Sequence, residues 1–199
     1  SGIVLDSTGS AGGLVVSGNG GSCTSVATCT GGAIRNSSQH GVRLNATTEP
    51  AFTRLAIQTS AGSGIFGTRV SGFTFSNGFI SDSGGDLVPD RANIAFNTQS
   101  TGSENNLEGV VSITDSLLTY GYYHGIDIVN YAGTLSAVTL RGNTLTSSIN
   151  GGSGSPCAGA GTPTTCSRGS GVRLIAFGSG STVANVTRGK IENNTISNF

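Results

Sequence analysis

Short runs in which apolar and polar residues alternate recur along this chain, and six of them open alike. They are Ser1-Gly-Ile-Val-Leu5, His40-Gly-Val-Arg-Leu44, Ser63-Gly-Ile-Phe-Gly67, Ala92-Asn-Ile-Ala-Phe96, His124-Gly-Ile-Asp-Ile128 and Ser170-Gly-Val-Arg-Leu174. A period of two puts Ile3/Leu5, Val42/Leu44, Ile94/Phe96, Ile126/Ile128 and Val172/Leu174 on one face of an extended strand. Val4, Arg43, Ala95, Asp127 and Arg173 fall on the opposite face. The third run departs from this pattern, because Gly67 takes an inward place beside Phe66. A missing side chain there is expected to admit a large neighbour, with Phe73, Phe75 and Phe79 as the candidates.

Two more apolar columns follow each opening run. Ile34, Ile57, Ile80, Leu118, Leu145 and Ile196 close short extended stretches such as Gly142-Asn-Thr-Leu145. Five residues earlier stand Phe52, Phe75, Ile113, Leu140 and Ile191, with Cys29 at the formal position in the first unit, where an insertion blurs the register. The step from the closing residue to the next opening residue is eight for Ile34 to Val42, Ile57 to Ile65 and Leu118 to Ile126, which predicts a corner of fixed length. The units then run 1–39, 40–62, 63–91, 92–123, 124–169 and 170–199, with polar, glycine-rich insertions at 17–31, 81–91, 97–109 and 146–169. Repeats of this size, built of short strands without a helical period, predict equivalent strands stacked about 4.8 Å apart into a parallel β-solenoid. One β-helix domain over 1–199 is expected. Both ends cut through a repeat without a polar cap, so the chain reads as a segment of a longer solenoid.

Composition agrees with strands and excludes some partners. The 33 glycines, with abundant Ser, Thr and Asn, favour turns and strands over helices. Ten acidic residues balance ten basic ones, which leaves no electrostatic footprint for nucleic acid. No apolar run approaches the roughly 18 residues of a membrane span. The cysteines fall in two local pairs, Cys23 with Cys29 and Cys157 with Cys166. Without a Cys-x-x-Cys spacing they predict two disulfides rather than zinc, and hence an extracellular, secreted or cell-surface protein.

The string Ser-Gly-Ile-Phe-Gly-Thr-Arg-Val-Ser-Gly-Phe-Thr-Phe-Ser-Asn-Gly-Phe-Ile at 63–80, and Val-Thr-Leu-Arg-Gly-Asn-Thr-Leu at 138–145, resemble right-handed parallel β-helix repeat proteins of the pectate-lyase-like superfold. The likeness extends over nearly the whole chain. The mix of Gly-Ile-x-Leu openings, Asn-x-Thr-Ile closings and Gly/Ser loops resembles long repetitive surface and secreted proteins of bacteria. The resemblance implies an all-β, right-handed parallel β-helix of about six coils with loop insertions. It selects no activity, since this superfold hosts lyases, hydrolases, tailspikes, adhesins and passenger domains.

Catalytic chemistry would be sought on the outward column Val4, Arg43, Phe66, Ala95, Asp127, Arg173. A glycoside hydrolase needs two carboxyl groups about 5–9.5 Å apart, and only Asp127 is acidic here. With Arg173 one unit on, Asp127 is expected to form half of a surface ion pair. The calcium-binding aspartate cluster and arginine run of pectate lyases have no match. His40 and His124 share a phase but lie three units, roughly 14 Å, apart, so they read as corner residues and not a metal pair. Asp82, Asp86 and Asp90 form a solvated acidic loop with Glu104 and Glu108 as ordinary loop charges; no metal or cofactor is expected, calcium at the loop being the alternative.

Ligand binding has a different focus. All four tyrosines, Tyr120, Tyr122, Tyr123 and Tyr131, bracket the run that contains Asp127 and offer rings with polar tips for sugar stacking or an interface. Asn-x-Ser/Thr sequons begin at Asn36, Asn45, Asn185 and Asn193, while Asn193 and Asn194 would equally extend a side-chain ladder between units. The expected function is a non-catalytic structural or adhesive segment of an extracellular β-helix. Its expected partners are glycans or further copies or segments of the same solenoid. The alternative is a polysaccharide-active lyase or glycoside hydrolase, or a glycan-binding module, using the tyrosines and Asp127.

Overall fold

The computed structural model describes residues 1–9, 12–84, 91–100, 102–121, 123–147, 169–179 and 182–199. Among them the chain is all-β and contains no helix, and its strands stack in three parallel sheets consistent with a parallel β-solenoid. Sheet one stacks Ile3–Thr8, Val42–Thr47, Ile65–Thr68, Ala92–Phe96, His124–Asn130 and Val172–Ala176. Sheet two runs from Val15–Val16 through Ala51–Thr53, Val70–Ser76 and Leu107–Thr114 to Gly133–Arg141. There the last strand pairs with both Thr182–Val186 and Gly189–Glu192. Sheet three stacks Ala33–Ser37, Ala56–Ser60, Phe79–Ser83, Leu117–Gly121, Thr144–Thr146 and Thr195–Ser197. The chain visits the sheets in this order repeatedly, and one short antiparallel pair, Gly178–Ser179 with Thr182–Val186, stands apart.

Each column expected from the apolar pattern is a register line. Ile3, Val42, Ile65, Ile94, Ile126 and Val172 are successive partners in sheet one. Ile34, Ile57, Ile80, Leu118, Leu145 and Ile196 are partners in sheet three. In sheet two the line is Phe52, Phe75, Ile113, Leu140 and Ile191, but it begins at Val16 and not at Cys29. Cys29 belongs instead to the loop that follows Val16, so counting backward across that insertion lands on the wrong residue. Two insertions are shorter than expected, because 81–83 completes Phe79–Ser83 and 107–109 opens Leu107–Thr114.

The three columns meet in one apolar interior, where Phe52, Phe73, Phe75 and Phe96 are essentially inaccessible. Gly67 gives its space to Phe96, the next residue in its own column, since an added Cβ would lie 2.6 Å from Phe96 Cδ1. None of Phe73, Phe75 or Phe79 is that neighbour. Phe73 instead packs edge-on against Phe96 with ring centroids 5.0 Å apart.

Corners are made by single left-handed residues stacked unit upon unit. Arg54, Asn77, Asp115, Gly142 and Asn193 (φ 50 to 67°) turn the chain between sheets two and three. Asn36, Thr59, Asp82 and Tyr120 (φ 53 to 57°) turn it from sheet three toward sheet one. Asn and Asp tolerate this region better than other residues with a Cβ. The residue after the first of these corners points inward and builds a polar ladder. Ser116 Oγ accepts the Gly78 amide at 3.0 Å, Asn143 Oδ1 accepts the Ser116 amide at 3.1 Å, and Asn194 Oδ1 accepts the Asn143 amide at 2.9 Å. Asn194 therefore takes the ladder role expected for it, whereas Asn193 is an exposed corner residue.

Candidate functional site

Asp127 lies midway along the fifth of the six strands of sheet one, in register with Ala95 on one side and Arg173 on the other. Arg173 holds it with two hydrogen bonds, Nε to Oδ1 at 2.6 Å and Nη2 to Oδ2 at 2.7 Å. Asn97 Nδ2 donates to Oδ2 at 2.6 Å. The expected pairing is present, but it is not a surface pair: Asp127 is 0% exposed, and the Arg173 side chain 24%. Every residue of His124–Asn130 is buried, so both faces of this strand are covered. Both carboxylate oxygens accept from side-chain donors, a geometry that holds a charge in place.

The two histidines perform one task at equivalent corners. Ser63 donates its amide to His40 Nδ1 at 3.1 Å, and Ser170 donates its amide to His124 Nδ1 at 2.9 Å. His40 also stacks on Phe66, with centroids 4.4 Å apart and planes 12° from parallel. Each imidazole thus ties its corner to the following unit.

Among the described residues the tyrosines do not share one platform. Tyr120 is half-exposed at its left-handed corner, and Tyr123 stands at the start of His124–Asn130 with its ring 5.9 Å from His124. Tyr131 lies beyond the far end of that strand, about 25 Å away at roughly 3.3 Å per residue. There it stacks on Phe177 (centroids 4.7 Å, 12°) and donates its hydroxyl to Gln99 Oε1 at 3.1 Å. Tyr122, and the cysteines Cys157 and Cys166, lie outside the described residues, as do Asp86 and Asp90. Asp82 accepts a hydrogen bond from Ser81 Oγ at 2.8 Å. Glu104 and Glu108 accept from Ser100 Oγ at 2.9 Å and Asn105 Nδ2 at 2.7 Å. No group of three or more His, Cys, Asp or Glu residues that could hold a metal ion occurs among the described residues.

The sequons differ in environment. Asn36 and Asn193 are exposed corner residues, and Asn185 is exposed on Thr182–Val186. The Asn45 amide is occupied: Nδ2 donates to Asp6 Oδ1 at 2.8 Å, while Oδ1 accepts from Thr68 Oγ1 at 3.1 Å and Arg69 Nη2 at 2.9 Å.

Cys23 and Cys29 form the expected disulfide. What sequence reasoning missed is where their loop goes. It lies over sheet three, where both cysteines pack with Ala56, Phe79, Val26 and Leu117 in a small cluster separate from the main core. A signal for this exists in the sequence. The outward line Ala33, Ala56, Phe79, Leu117, Thr144, Thr195 is apolar up to Leu117 and threonine beyond it. At that boundary a cleft of about 250 Å³ opens between Gly21, Ser22, Cys23 and Thr24 of the loop and the corner residues Asn77, Asp115 and Gly142.

Fold and contacts together define a disulfide-bearing, all-β protein of stacked parallel strands. In comparison with known proteins, the chain matches no family model, no curated protein and no solved structure. Among the described residues no helix is long and apolar enough to cross a membrane, which does not address crossing by strands.

Proposed function

We propose that this chain is a non-catalytic structural and adhesive segment of an extracellular, right-handed parallel β-helix of about six coils, in the manner of the pectate-lyase-like superfold. The observation that carries the reading is the strand His124–Asn130, buried on both faces, with the Asp127 carboxylate held by Arg173 and Asn97. Ile191 and Ile196 are 58% and 47% exposed and offer an apolar surface to a second copy. The covered strand with its fixed Asp127–Arg173 pair supports a stiff wall more than a reaction centre. The Cys23–Cys29 disulfide supports an oxidising compartment.

Analytical ultracentrifugation of residues 1–199 tests this. The expected result is concentration-dependent self-association that Ile191→Lys with Ile196→Lys abolishes. A monodisperse monomer at all concentrations would overturn it.

The second reading, a glycan-binding module or polysaccharide-active enzyme, is favoured by the Tyr131–Phe177 stack, whose Phe177 face is 41% exposed. Turnover of a polysaccharide that disappeared in Asp127→Ala would put this reading first.

A further inference from the structure

The cleft beside the disulfide loop has a built wall. Arg54 Nε donates to Gly21 O at 3.1 Å, Thr30 Oγ1 donates to Gly20 O at 3.2 Å, and the Cys23–Cys29 bond closes the loop behind them. The facing wall is the stacked corner. Gly142 matters there because a Cβ would collide with Asp115 Oδ1; its absence lets the carboxylate lie across the next unit. The floor is Leu117 with the buried Cys23.

The polar groups that line this space are uncommitted. Among the described residues, the side chains of Ser22, Thr24, Asn77 and Thr144 make no hydrogen bond. Asp115 Oδ1 makes none either, while Oδ2 meets Arg141 Nη2 at 3.4 Å. Three hydroxyls, a carboxamide and half a carboxylate thus converge on an apolar floor.

We propose that this cleft binds one neutral sugar residue. A carboxylate oxygen and an amide can take the donors and acceptors of adjacent ring hydroxyls, the Ser and Thr hydroxyls serve either role, and Leu117 with the disulfide meets the C–H face. An anion would face Asp115 while the nearby cation, Arg141, is already paired with it. An apolar ligand would strand five polar groups. A single carboxylate is a poor cation set, because calcium takes 6–8 oxygens, commonly several charged. The volume of about 250 Å³ is below the roughly 300–1,000 Å³ of ordinary small-molecule pockets, which suits one ring and not an oligosaccharide. This site goes beyond the self-association reading and stands whether or not the chain stacks on itself. It also gives the glycan-binding reading a location other than the tyrosines.

The test is an NMR titration of residues 1–199 with glucose, galactose, mannose and N-acetylglucosamine separately. Saturable shifts are expected for at least one sugar at Gly142, Thr24 and the Asn77 side-chain amide, with a Kd of about 1 mM. Asp115→Asn should weaken binding about tenfold. It should fold normally, because Asn tolerates the φ of 52° at this corner. Cys23→Ser with Cys29→Ser should abolish binding while the far-ultraviolet circular dichroism of the sheets is kept. Four results would each overturn the proposal: no saturable shift in the cleft, binding indifferent to Asp115→Asn, binding that survives loss of the disulfide, or shifts confined to Tyr131 and Phe177. The last would sink the cleft and leave the glycan-binding reading standing. A fifth result, calcium chloride alone reproducing the cleft shifts, would also overturn it.

Discussion

Filling the space at Gly67 sets two residues of one column against each other. Its φ is outside the left-handed region, so the backbone itself accepts a side chain. The obstacle is packing: a Cβ would meet Phe96 Cδ1 at 2.6 Å and Val70 Cγ2 at 3.1 Å. Phe96 is fully buried and held by the edge-on contact with Phe73, so it cannot swing away into solvent. Overpacking of this kind costs about 1–3 kcal/mol. Loss of glycine's extra unfolded-state freedom returns about 0.4–1 kcal/mol, so Gly67→Ala should destabilise by about 1–2 kcal/mol. Phe96→Leu alone leaves a void beside Gly67 and should cost a similar amount, below the ~3–5 kcal/mol of a Phe→Ala truncation. Made together, Gly67→Ala and Phe96→Leu trade ring volume at one position for a methyl group at the other, which gives the column between Leu44 and Ile128 a more even set of side-chain sizes. The double variant should then be more stable than the sum of the singles by at least about 1 kcal/mol. Urea unfolding followed by circular dichroism measures this, provided the m-value is unchanged. Additivity within about 0.5 kcal/mol would refute the reasoning, because contacting residues that share one space must couple.

Two further perturbations probe the corner and the buried pair. Thr59 is exposed, β-branched and held at φ 57°, so Thr59→Asn should stabilise by about 1 kcal/mol. At this chain length the melting temperature should rise about 2–4 °C, and an unchanged or lower value would count against the strain. For the buried pair, removing the arginine strands a fully buried carboxylate, whereas removing the aspartate leaves a partly exposed guanidinium. Arg173→Met should therefore cost more than Asp127→Asn, of the order of 3–5 kcal/mol, and the double change should recover part of the loss. Chemical denaturation decides this, and equal, small effects below about 0.5 kcal/mol would show that the pair adds nothing.

Much of the architecture is legible in the sequence because it rests on local periodicity. Alternation within five residues identifies the strands, and fixed steps between apolar residues identify three columns that the registers reproduce everywhere except at the start of the second. That one position resists because the insertion in the first unit makes counting across it unreliable, which puts Cys29 where Val16 belongs. The partner of Gly67 is present in the column itself, as Leu44, Gly67 and Phe96, but closeness in sequence points to other phenylalanines. Burial of Asp127 cannot be read from alternation, since an outward position says nothing of what lies over the sheet. The tyrosines look clustered because twelve residues seem few; an extended strand of seven residues separates them. The cleft depends on a loop that crosses several units, and its trace is the change from Phe79 and Leu117 to Thr144 on one outward line.

In a solenoid each unit ordinarily touches only its neighbours, so an end can fray one tier at a time. The Cys23–Cys29 loop departs from that rule, because it springs from the first unit and rests on Phe79 and Leu117, two and three tiers further along. It acts as a clasp laid along the outside of the stack. Peeling back the first strands must lift this clasp from the later tiers, so the edge at Val15–Val16 opens as a block and not strand by strand.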